Sequence, residues 1–153
     1  MDEGVRLMGY IPSKKTMAHG ILFDSDLEAQ YFTYLLEQPN IEGVIRQPQY
    51  TILEPFQVDC SKCRGKGKKP SPKTGRPIKC QTCKGTGERT RQGMTYKADF
   101  KVIYKDGYEE VVDVKGKYGL DKQFVIRKKL WEERFGTELI VVTKNKKGEW
   151  VRK

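Results

Sequence analysis

The chain has 153 residues, of which 30 are lysine or arginine and 20 are aspartate or glutamate, so its net charge is +10. This length suffices for one domain with a modest core and a small metal-stabilised insertion, but it excludes a second full domain. The basic residues are spread along the chain. A surface of this charge favours nucleic acid as the partner over a merely soluble basic protein.

Membrane insertion and secretion are not expected. No apolar run approaches the roughly 20 residues that a membrane-spanning helix needs. The N-terminal sequence MDEGVRLMGY has no apolar signal-peptide core. We therefore expect a cytoplasmic protein, in the host cytoplasm if a phage encodes it. A reducing cytoplasm disfavours disulfides, so the four cysteines require another role.

The first predicted element is a helix over residues 25–37. Ser25 is a suitable N-cap, and Glu28 follows at the three-residue spacing of a capping box. Pro39 and the following asparagine end the helix. Apolar side chains recur at helical spacing and predict a buried face: Leu27, Tyr31, Tyr34 and Leu35.

A strand over residues 44–53 comes next, in which Pro48 favours a sheet edge or a bend. Two cysteine pairs follow it, each with a two-residue gap: Cys60 and Cys63, then Cys80 and Cys83. Such a gap lets both thiolates of one turn point at the same ion. Two such turns supply the four tetrahedral sulfur ligands of a closed, structural zinc site.

Both cysteine pairs continue as Cys-x-Gly-x-Gly, with glycine at positions 65, 67, 85 and 87. Glycine permits the positive φ angles and the close backbone approach that a chain folding under a metal needs. This internal repeat resembles the cysteine-rich repeats of DnaJ-type chaperones over residues 60–87. The resemblance implies a zinc-bound β-hairpin and does not imply chaperone activity. A redox role for the paired cysteines is the alternative.

The segment between the pairs, residues 64–79, contains three prolines and seven basic residues. It buries little apolar surface, so bound metal is expected to supply most of its folding energy. Its lysines are suited to contact a phosphate backbone. We predict a zinc-finger insertion over residues 59–87 at a loop tip, where insertions are tolerated. The core domain is then made of residues 1–58 and 88–153.

Two strands follow the finger. The first, over residues 94–104, alternates so that five residues share one face: Tyr96, Ala98, Phe100, Val102 and Tyr104. Lys105-Asp106-Gly107 is a turn signal. The second strand, over residues 108–115, has Val112 and Val114 on the inner face. Its alternate residues Asp113 and Lys115 are then expected on the solvent side.

The length of the turn decides whether Asp99 and Asp113 share a face. A two-residue loop pairs residue 99 with residue 114, on the wrong face. A three-residue loop with Gly107 in the left-handed bulge position pairs Asp99 with Asp113, and also residue 100 with 112 and 102 with 110. We predict the three-residue loop. A structure with the two aspartates on opposite faces would exclude a shared metal site.

Two adjacent carboxylates offer the hard oxygen ligands that Mg²⁺ or Mn²⁺ prefers. A bound ion lowers the pKa of its water and stabilises charge on a phosphate. Lys115 is suited to orient or deprotonate the attacking water, or to neutralise the transition state. The alternative interpretation of the aspartates and Lys115 is an ordinary exposed hairpin with an Asp–Lys pair.

The last predicted elements are a helix over residues 121–135 and a strand over residues 138–143. Gly136 ends the helix. The residues that recur at helical spacing along one face of this helix are Phe124, Lys128, Trp131 and Phe135. Residues 144–153 form a polar hairpin or tail. The predicted order is therefore αβββαβ. This order gives an α/β (α+β) fold with a mixed central sheet flanked by helices, and the finger is inserted between the first two core strands.

With Tyr-Lys-Ala-Asp-Phe around Asp99 and Val-Asp-Val-Lys-Gly around Asp113 and Lys115, this order resembles the PD-(D/E)xK nuclease superfamily. It is most similar to small phage-encoded members and to Holliday-junction resolvases, over residues 19–143 without the finger. The resemblance implies a restriction-endonuclease-like core. It also implies a site of Glu28, Asp99, Asp113 and Lys115, with the aspartates as magnesium ligands. Alanine stands where the motif has proline.

The resulting hypothesis is a Mg²⁺- or Mn²⁺-dependent DNA endonuclease of a phage or prophage. The resemblance favours branched DNA and resolution of recombination or replication junctions. Because a resolvase cuts two strands symmetrically, we expect a homodimer. The finger would extend either the DNA contact surface or the dimer interface. The alternatives are a nicking or end-processing nuclease, and a non-catalytic zinc-containing DNA-binding adaptor.

For four further residues, both a functional and a structural interpretation remain open. Glu28 is an active-site member or only a helix cap, and the two roles are compatible. His19 is more often structural than in contact with substrate. Gln123 and Lys128 contact DNA or belong to a solvated helix face, and the solvated face is the preferred interpretation.

Overall fold

The computed structural model describes residues 13–117 and 120–153. These residues form two helices, α1 (Asp26–Leu36) and α2 (Lys122–Phe135), within a mainly β-sheet structure, so the protein is of the mixed α+β class. The strands are, in chain order, β1 (Thr16–Ala18), β2 (Ile21–Phe23), β3 (Ile41–Arg46), β4 (Gln49–Leu53), β5 (Phe56–Asp59), β6 (Lys68–Pro70), β7 (Pro77–Lys79), β8 (Glu88–Arg91), β9 (Met94–Lys97), β10 (Phe100–Tyr104), β11 (Glu109–Val114), β12 (Ile140–Lys144) and β13 (Trp150–Arg152). Within the described ranges, no helix is long and apolar enough to cross a membrane.

A five-stranded mixed sheet in the order β13–β12–β11–β10–β3 forms the centre of the protein. Its neighbouring strands are antiparallel except β11 and β12, which run parallel. A parallel pair needs a crossover connection, and α2 supplies it. The predicted mixed sheet is therefore confirmed, with α1, β3, β10, β11, α2 and β12 in chain order.

Apolar side chains fill both faces of this sheet. The α1 helix covers one face, with Phe32, Phe100 and Val112 in its cluster. The α2 helix covers the other, with Trp131 and Val111. Because successive strand residues point to opposite faces, Asp113 lies on the same face as Val111. The expected solvent-side position of Asp113 is therefore wrong, since its side chain lies in the sheet face that α2 covers and the residue is only 3% exposed.

Both helices begin and end close to the predicted residues. The Ser25 hydroxyl accepts a hydrogen bond from the backbone N–H of Glu28 at 3.2 Å, as an N-cap does. Asp121 caps α2 in the same way, through the N–H of Phe124 at 2.7 Å. Gly136 ends α2 in the left-handed conformation with φ 67°, which glycine adopts without strain.

The predicted register of the β10–β11 hairpin is confirmed. Phe100 pairs with Val112 and Val102 pairs with Glu110. The connection is the three-residue loop, and its Gly107 has φ +87°. The chain forms this turn because a glycine stands at the left-handed position.

The strands predicted over residues 44–53 and 94–104 are each broken in two. The first is broken at Gln47 and Pro48, where Gln47 has φ 49°. The second is broken directly opposite, where the N–H of Gln47 donates to the carbonyl of Asp99 at 2.8 Å. The single apolar face predicted for residues 96–104 is wrong. The break places Tyr96 in the α2 cluster, together with Ala98, and leaves the later residues in the α1 cluster.

Beyond the break, the same two chain segments leave the sheet as a two-stranded ribbon. The pair β4–β9 is followed by β5–β8 and then by β6–β7. We call residues 56–91 the arm. Its buried residues are the four cysteines and two glycines, so a sulfur cluster replaces an apolar core there.

Two short elements complete the fold. A hairpin of β1 and β2, not predicted from the sequence, precedes α1 and turns at His19 and Gly20. The predicted last strand is present two residues later as β12. The polar segment after β12 contains β13, which pairs with β12 as a hairpin. Of the two predicted alternatives, a hairpin or a tail, the hairpin is therefore present.

Candidate active site and four-cysteine cluster

The four predicted cysteine ligands lie together in the arm and are buried. The Sγ atoms of Cys60 and Cys80 are 3.9 Å apart, and those of Cys63 and Cys83 are 3.7 Å apart. Zinc held by four sulfurs at about 2.3 Å requires sulfur separations of roughly 3.8 Å. The backbone N–H of Cys83 lowers the pKa of the Cys80 thiol, against the opposing effect of burial. The cluster is therefore compatible with structural zinc.

The glycines of the repeat explain how the chain closes around the sulfurs. The N–H of Gly67 donates to Cys63 Sγ at 3.1 Å, and that of Gly87 donates to Cys83 Sγ at 3.3 Å. A Cβ atom on either glycine would lie 2.3 Å from a backbone oxygen of the other repeat. Both positions also have positive φ angles. Only glycine fits there, so the two repeats pack back to back.

The central sheet brings Asp99 and Asp113 together. Asp99 lies at the break just before β10, Asp113 lies near the end of β11, and both side chains line one cleft. Asp99 Oδ2 accepts a hydrogen bond from the N–H of Val114 at 2.7 Å. Burial raises the pKa of Asp99, and the negative charges of Asp113 and Glu28 raise it further. The carboxyl groups of Asp99 and Asp113 are therefore close enough to interact electrostatically.

Asp113 is held by two side chains. Lys115 Nζ lies 2.9 Å from Asp113 Oδ1, and the Tyr96 hydroxyl donates to Asp113 Oδ2. The Lys115 ammonium also lies 4.4 Å from the ring centroid of Phe124 on α2. Burial, followed by the charge of Asp113, raises the pKa of Tyr96. The hydroxyl therefore stays protonated as a donor.

Tyr96 is a member of this site that the sequence pattern did not reveal. Alternation assigned it to an apolar face, and its ring is indeed buried. The available signal was its chemistry, because a buried tyrosine hydroxyl usually requires a polar partner. The break at Ala98, which turns that ring toward Asp113, was not encoded in any simple periodicity.

Glu28 lies in the first turn of α1, where the predicted cap is present. The Ser25 hydroxyl donates to Glu28 Oε1 at 3.0 Å, so the carboxylate takes part in the cap. Burial raises the pKa of Glu28 against the effect of that hydrogen bond, and the charges of Asp24 and Asp113 raise it further. Its carboxylate is thus within electrostatic range of the aspartates.

The carboxylates are less closely gathered than the cysteines. Within residues 13–117 and 120–153, only the cysteines form a group of three or more possible ligands whose ligating atoms lie within 4.8 Å of one another. Asp99, Asp113 and Lys115 instead line an open cleft beside α2, together with basic side chains from both walls, Lys97 and Arg127. The cleft thus joins a negative floor to a positive rim.

The three remaining candidates lie outside this cleft. His19 Nε2 lies 2.9 Å from the Thr33 hydroxyl, so this histidine packs on α1. Lys128 forms an ion pair with Glu132 at 2.6 Å. Gln123 is exposed on α2, at a neighbouring hollow of the surface.

Fold and site together define a mixed α+β protein with an acidic cleft and a four-cysteine cluster compatible with zinc. The chain belongs to the family described as "Protein of unknown function (DUF1064)", whose model matches residues 9–151. No curated protein and no solved structure matches the chain.

Proposed function

We propose that this protein is a metal-dependent DNA endonuclease with a restriction-endonuclease-like core of the PD-(D/E)xK type. The observation that carries the proposal is that Asp99, Asp113 and Lys115 line one cleft beside α2, with Lys115 paired to Asp113. The chain order of α1, three core strands, α2 and β12 supports it as well.

The donor set fits a hard divalent cation. Asp99 and Asp113 would hold Mg²⁺ or Mn²⁺, because carboxylate oxygens are the ligands these ions prefer. Burial raises the pKa of Asp99 most, the charges of Asp113 and Glu28 raise it further, and a bound cation would relieve the repulsion between these charges. Such an ion supplies an acidified water and stabilises charge on the scissile phosphate. Glu28 would assist in holding the ion, either through water molecules bound to the ion or through the negative charge of its carboxylate.

The remaining residues position the reactants. Tyr96 and Lys115 fix the orientation of the Asp113 carboxylate from opposite oxygens. Lys115, steadied by the ring of Phe124, is placed to orient the attacking water or to neutralise the phosphate. In the proposed reaction the water oxygen would bond to phosphorus, the bond from phosphorus to the leaving oxygen would break, and a proton lost by the water would balance the one taken up by the leaving oxygen. The basic rim of Lys97 and Arg127 suits a phosphate backbone.

We further propose branched DNA as the substrate and a homodimer as the active form, since paired symmetric cuts require two sites. A non-catalytic DNA-binding adaptor is the second candidate. The observation that favours the adaptor is that Lys115 and Tyr96 already occupy both oxygens of Asp113.

The test is cleavage of four-way junction, flap, duplex and single-stranded DNA by the full-length protein, with Mg²⁺ added or omitted. Omission is preferable to chelation because it leaves the cysteine cluster untouched. We expect Asp113→Asn to lower cleavage about 1000-fold or more, since a metal supplies several kcal/mol of transition-state stabilisation. Asp106→Asn, in the exposed turn of the same hairpin, is the matched control and should retain activity.

The outcomes separate the candidates. Symmetric paired nicks on the junction support resolution, and Mg²⁺-dependent cuts in another substrate support a nicking or end-processing nuclease. If the wild-type protein binds DNA but cleaves none of the four substrates, and Asp113→Asn changes nothing, the adaptor is correct and the endonuclease proposal is wrong.

A further inference from the structure

The net positive charge of the chain is concentrated in the arm. Residues 56–91 contain eleven lysines and arginines and only two acidic residues, whereas the rest of the chain contains 19 and 18. Basic residues do occur along the whole chain, but acidic residues are nearly missing from the arm. Zinc with four thiolates would add two negative charges, so the arm would keep a net charge of about +7.

These basic side chains are exposed and unpaired. Every lysine and arginine of the arm is exposed, and none of the salt bridges in the described part of the chain involves one. By contrast, the salt bridges of the core neutralise five of its basic side chains. The arm therefore presents its charge to an external partner.

The ladder of β6 and β7 places like charges directly opposite each other. Lys68 pairs with Lys79 across the two strands, and the turn beyond them carries Lys73 and Arg76. Directly opposed like charges destabilise a sheet. The cysteine cluster maintains the ribbon despite this repulsion. A polyanion would relieve the repulsion, so the arrangement favours a phosphate-rich partner.

The shape of the arm further restricts the class of partner that it can bind. It is an antiparallel two-stranded ribbon, and the major groove of B-form DNA admits such a ribbon between its flanking phosphates. Lysine dominates its exposed surface, and lysine contacts to phosphates carry no sequence information. We propose that the arm is a separate binding site for the phosphate backbone of duplex DNA, without sequence preference. This binding does not depend on the proposed endonuclease chemistry.

The test is the salt dependence of binding to a 20-base-pair duplex, measured by fluorescence anisotropy without Mg²⁺. Each phosphate contact contributes about 0.9 to the slope of log K against log salt. Replacing Lys68, Lys69 and Lys79 by glutamine should lower the slope by up to about 3. The matched control replaces Lys105, Lys146 and Lys147, which are exposed turn residues of the core, and removes the same net charge.

We expect the control to change the slope by less than about 1. Zinc content, measured for both variants, should match the wild type. If the arm variant loses zinc, the single change Lys69→Gln still tests the site, with an expected decrease of about 1.

Equal slope changes in the arm variant and the control would overturn the proposal, because the effect would then follow net charge alone. Tighter binding of polyglutamate than of a duplex of equal charge would overturn the assignment to DNA. The endonuclease proposal fails on a different result, namely no cleavage by the wild-type protein, or cleavage that Asp113→Asn leaves unchanged. The failure of one proposal is therefore distinguishable from the failure of the other.

Discussion

The arm and the central sheet reach a folded state by different means. The sheet buries an apolar layer on each face, with Phe100 of β10 almost fully enclosed in the α1 cluster and Trp131 of α2 almost fully enclosed in the cluster on the other face. The arm buries little except sulfur and glycine. Apolar burial contributes to stability in proportion to area, at about 25 cal/mol per Å². The arm lacks that contribution and must depend on its cysteines.

This difference separates two kinds of surface. A core that needs apolar layers can enclose an acidic cleft and place Asp113 in a buried, oriented state. A ribbon closed by four thiols has no inner layer to protect, so nearly all its side chains are free to carry charge. On the two proposals above, the core would cleave DNA and the arm would bind the duplex.

If the cysteine cluster holds zinc, removal of the metal should have the largest effect, and this effect should be confined to the arm. Structural zinc contributes on the order of 10 kcal/mol to the folding of such modules. We expect Cys80→Ser, or treatment with a strong chelator, to abolish amide protection in residues 56–91 while protection of the central sheet persists. Hydrogen exchange resolved by mass spectrometry measures both regions in one experiment.

The control for zinc removal is Ser61→Ala, an exposed position between two of the ligands, which should retain zinc. Zinc content of Cys80→Ser equal to the wild type would contradict the ligand set. Simultaneous loss of protection in the core would contradict the independence of the two regions.

The second prediction compares one residue type in both regions. Phe100 is 1% exposed in the α1 cluster, whereas Phe56 is 44% exposed at the base of the arm. We expect Phe100→Ala to lower the free energy of unfolding by about 3–5 kcal/mol, because it leaves a cavity. Phe56→Ala should change it by less than about 0.5 kcal/mol. Urea denaturation of both variants is the measurement, and similar losses would refute the contrast in packing.

The third prediction sharpens the role of the core. Tyr96→Phe removes the hydroxyl that donates to Asp113 but keeps the buried ring. On the proposed function, we expect a 10- to 100-fold loss of cleavage, as is typical when a residue that orients a metal ligand is altered. The Mg²⁺ concentration for half-maximal activity should rise. Tyr50→Phe, in the same apolar cluster, is the matched control. An unchanged Mg²⁺ requirement would reduce Tyr96 to a packing role.

Much of the fold was predictable because its signals are local. The cap at Ser25, the glycine that ends α2 and the loop glycine at position 107 each act within a few residues. The clustering of the four cysteines was predictable because a two-residue gap brings both thiols of one turn to the same point. The register of the β10–β11 hairpin followed from the length of its loop.

The missed features depend on contacts between distant segments. The break at Gln47 is stabilised by a hydrogen bond to Asp99, more than fifty residues away. That break turns Tyr96 toward Asp113, and no alternation pattern contains this information. The burial of Asp113 likewise depends on α2 packing over the sheet. Local patterns cannot decide which of two sheet faces a later helix covers.

The smallest predicted effect concerns the decrease in the free energy of unfolding that results from burying Asp99 near other carboxylates. The pKa of Asp99 is raised above its ordinary value of 3.8, mainly by burial and then by Asp113. The folded state therefore binds a proton more tightly than the unfolded state. This contribution to stability is complete below the ordinary value and is lost as pH rises through the raised pKa. Asp99→Asn removes the titration but keeps an oxygen that can accept the hydrogen bond from Val114.

We therefore expect Asp99→Asn to raise the free energy of unfolding at pH 8 by roughly 1 kcal/mol, given that one pKa unit corresponds to about 1.4 kcal/mol. The gain should shrink as pH falls toward 4, and Asp106→Asn should show no comparable trend. Mg²⁺ should stabilise the wild type more than the variant, because only the wild type has both carboxylates. If Asp99→Asn is less stable at pH 8, the cleft carries no electrostatic strain. If Asp99→Asn gains stability but Mg²⁺ stabilises both proteins equally, the aspartates repel each other without forming a cation site. The proposal that the core cleaves DNA with a bound metal would then be wrong.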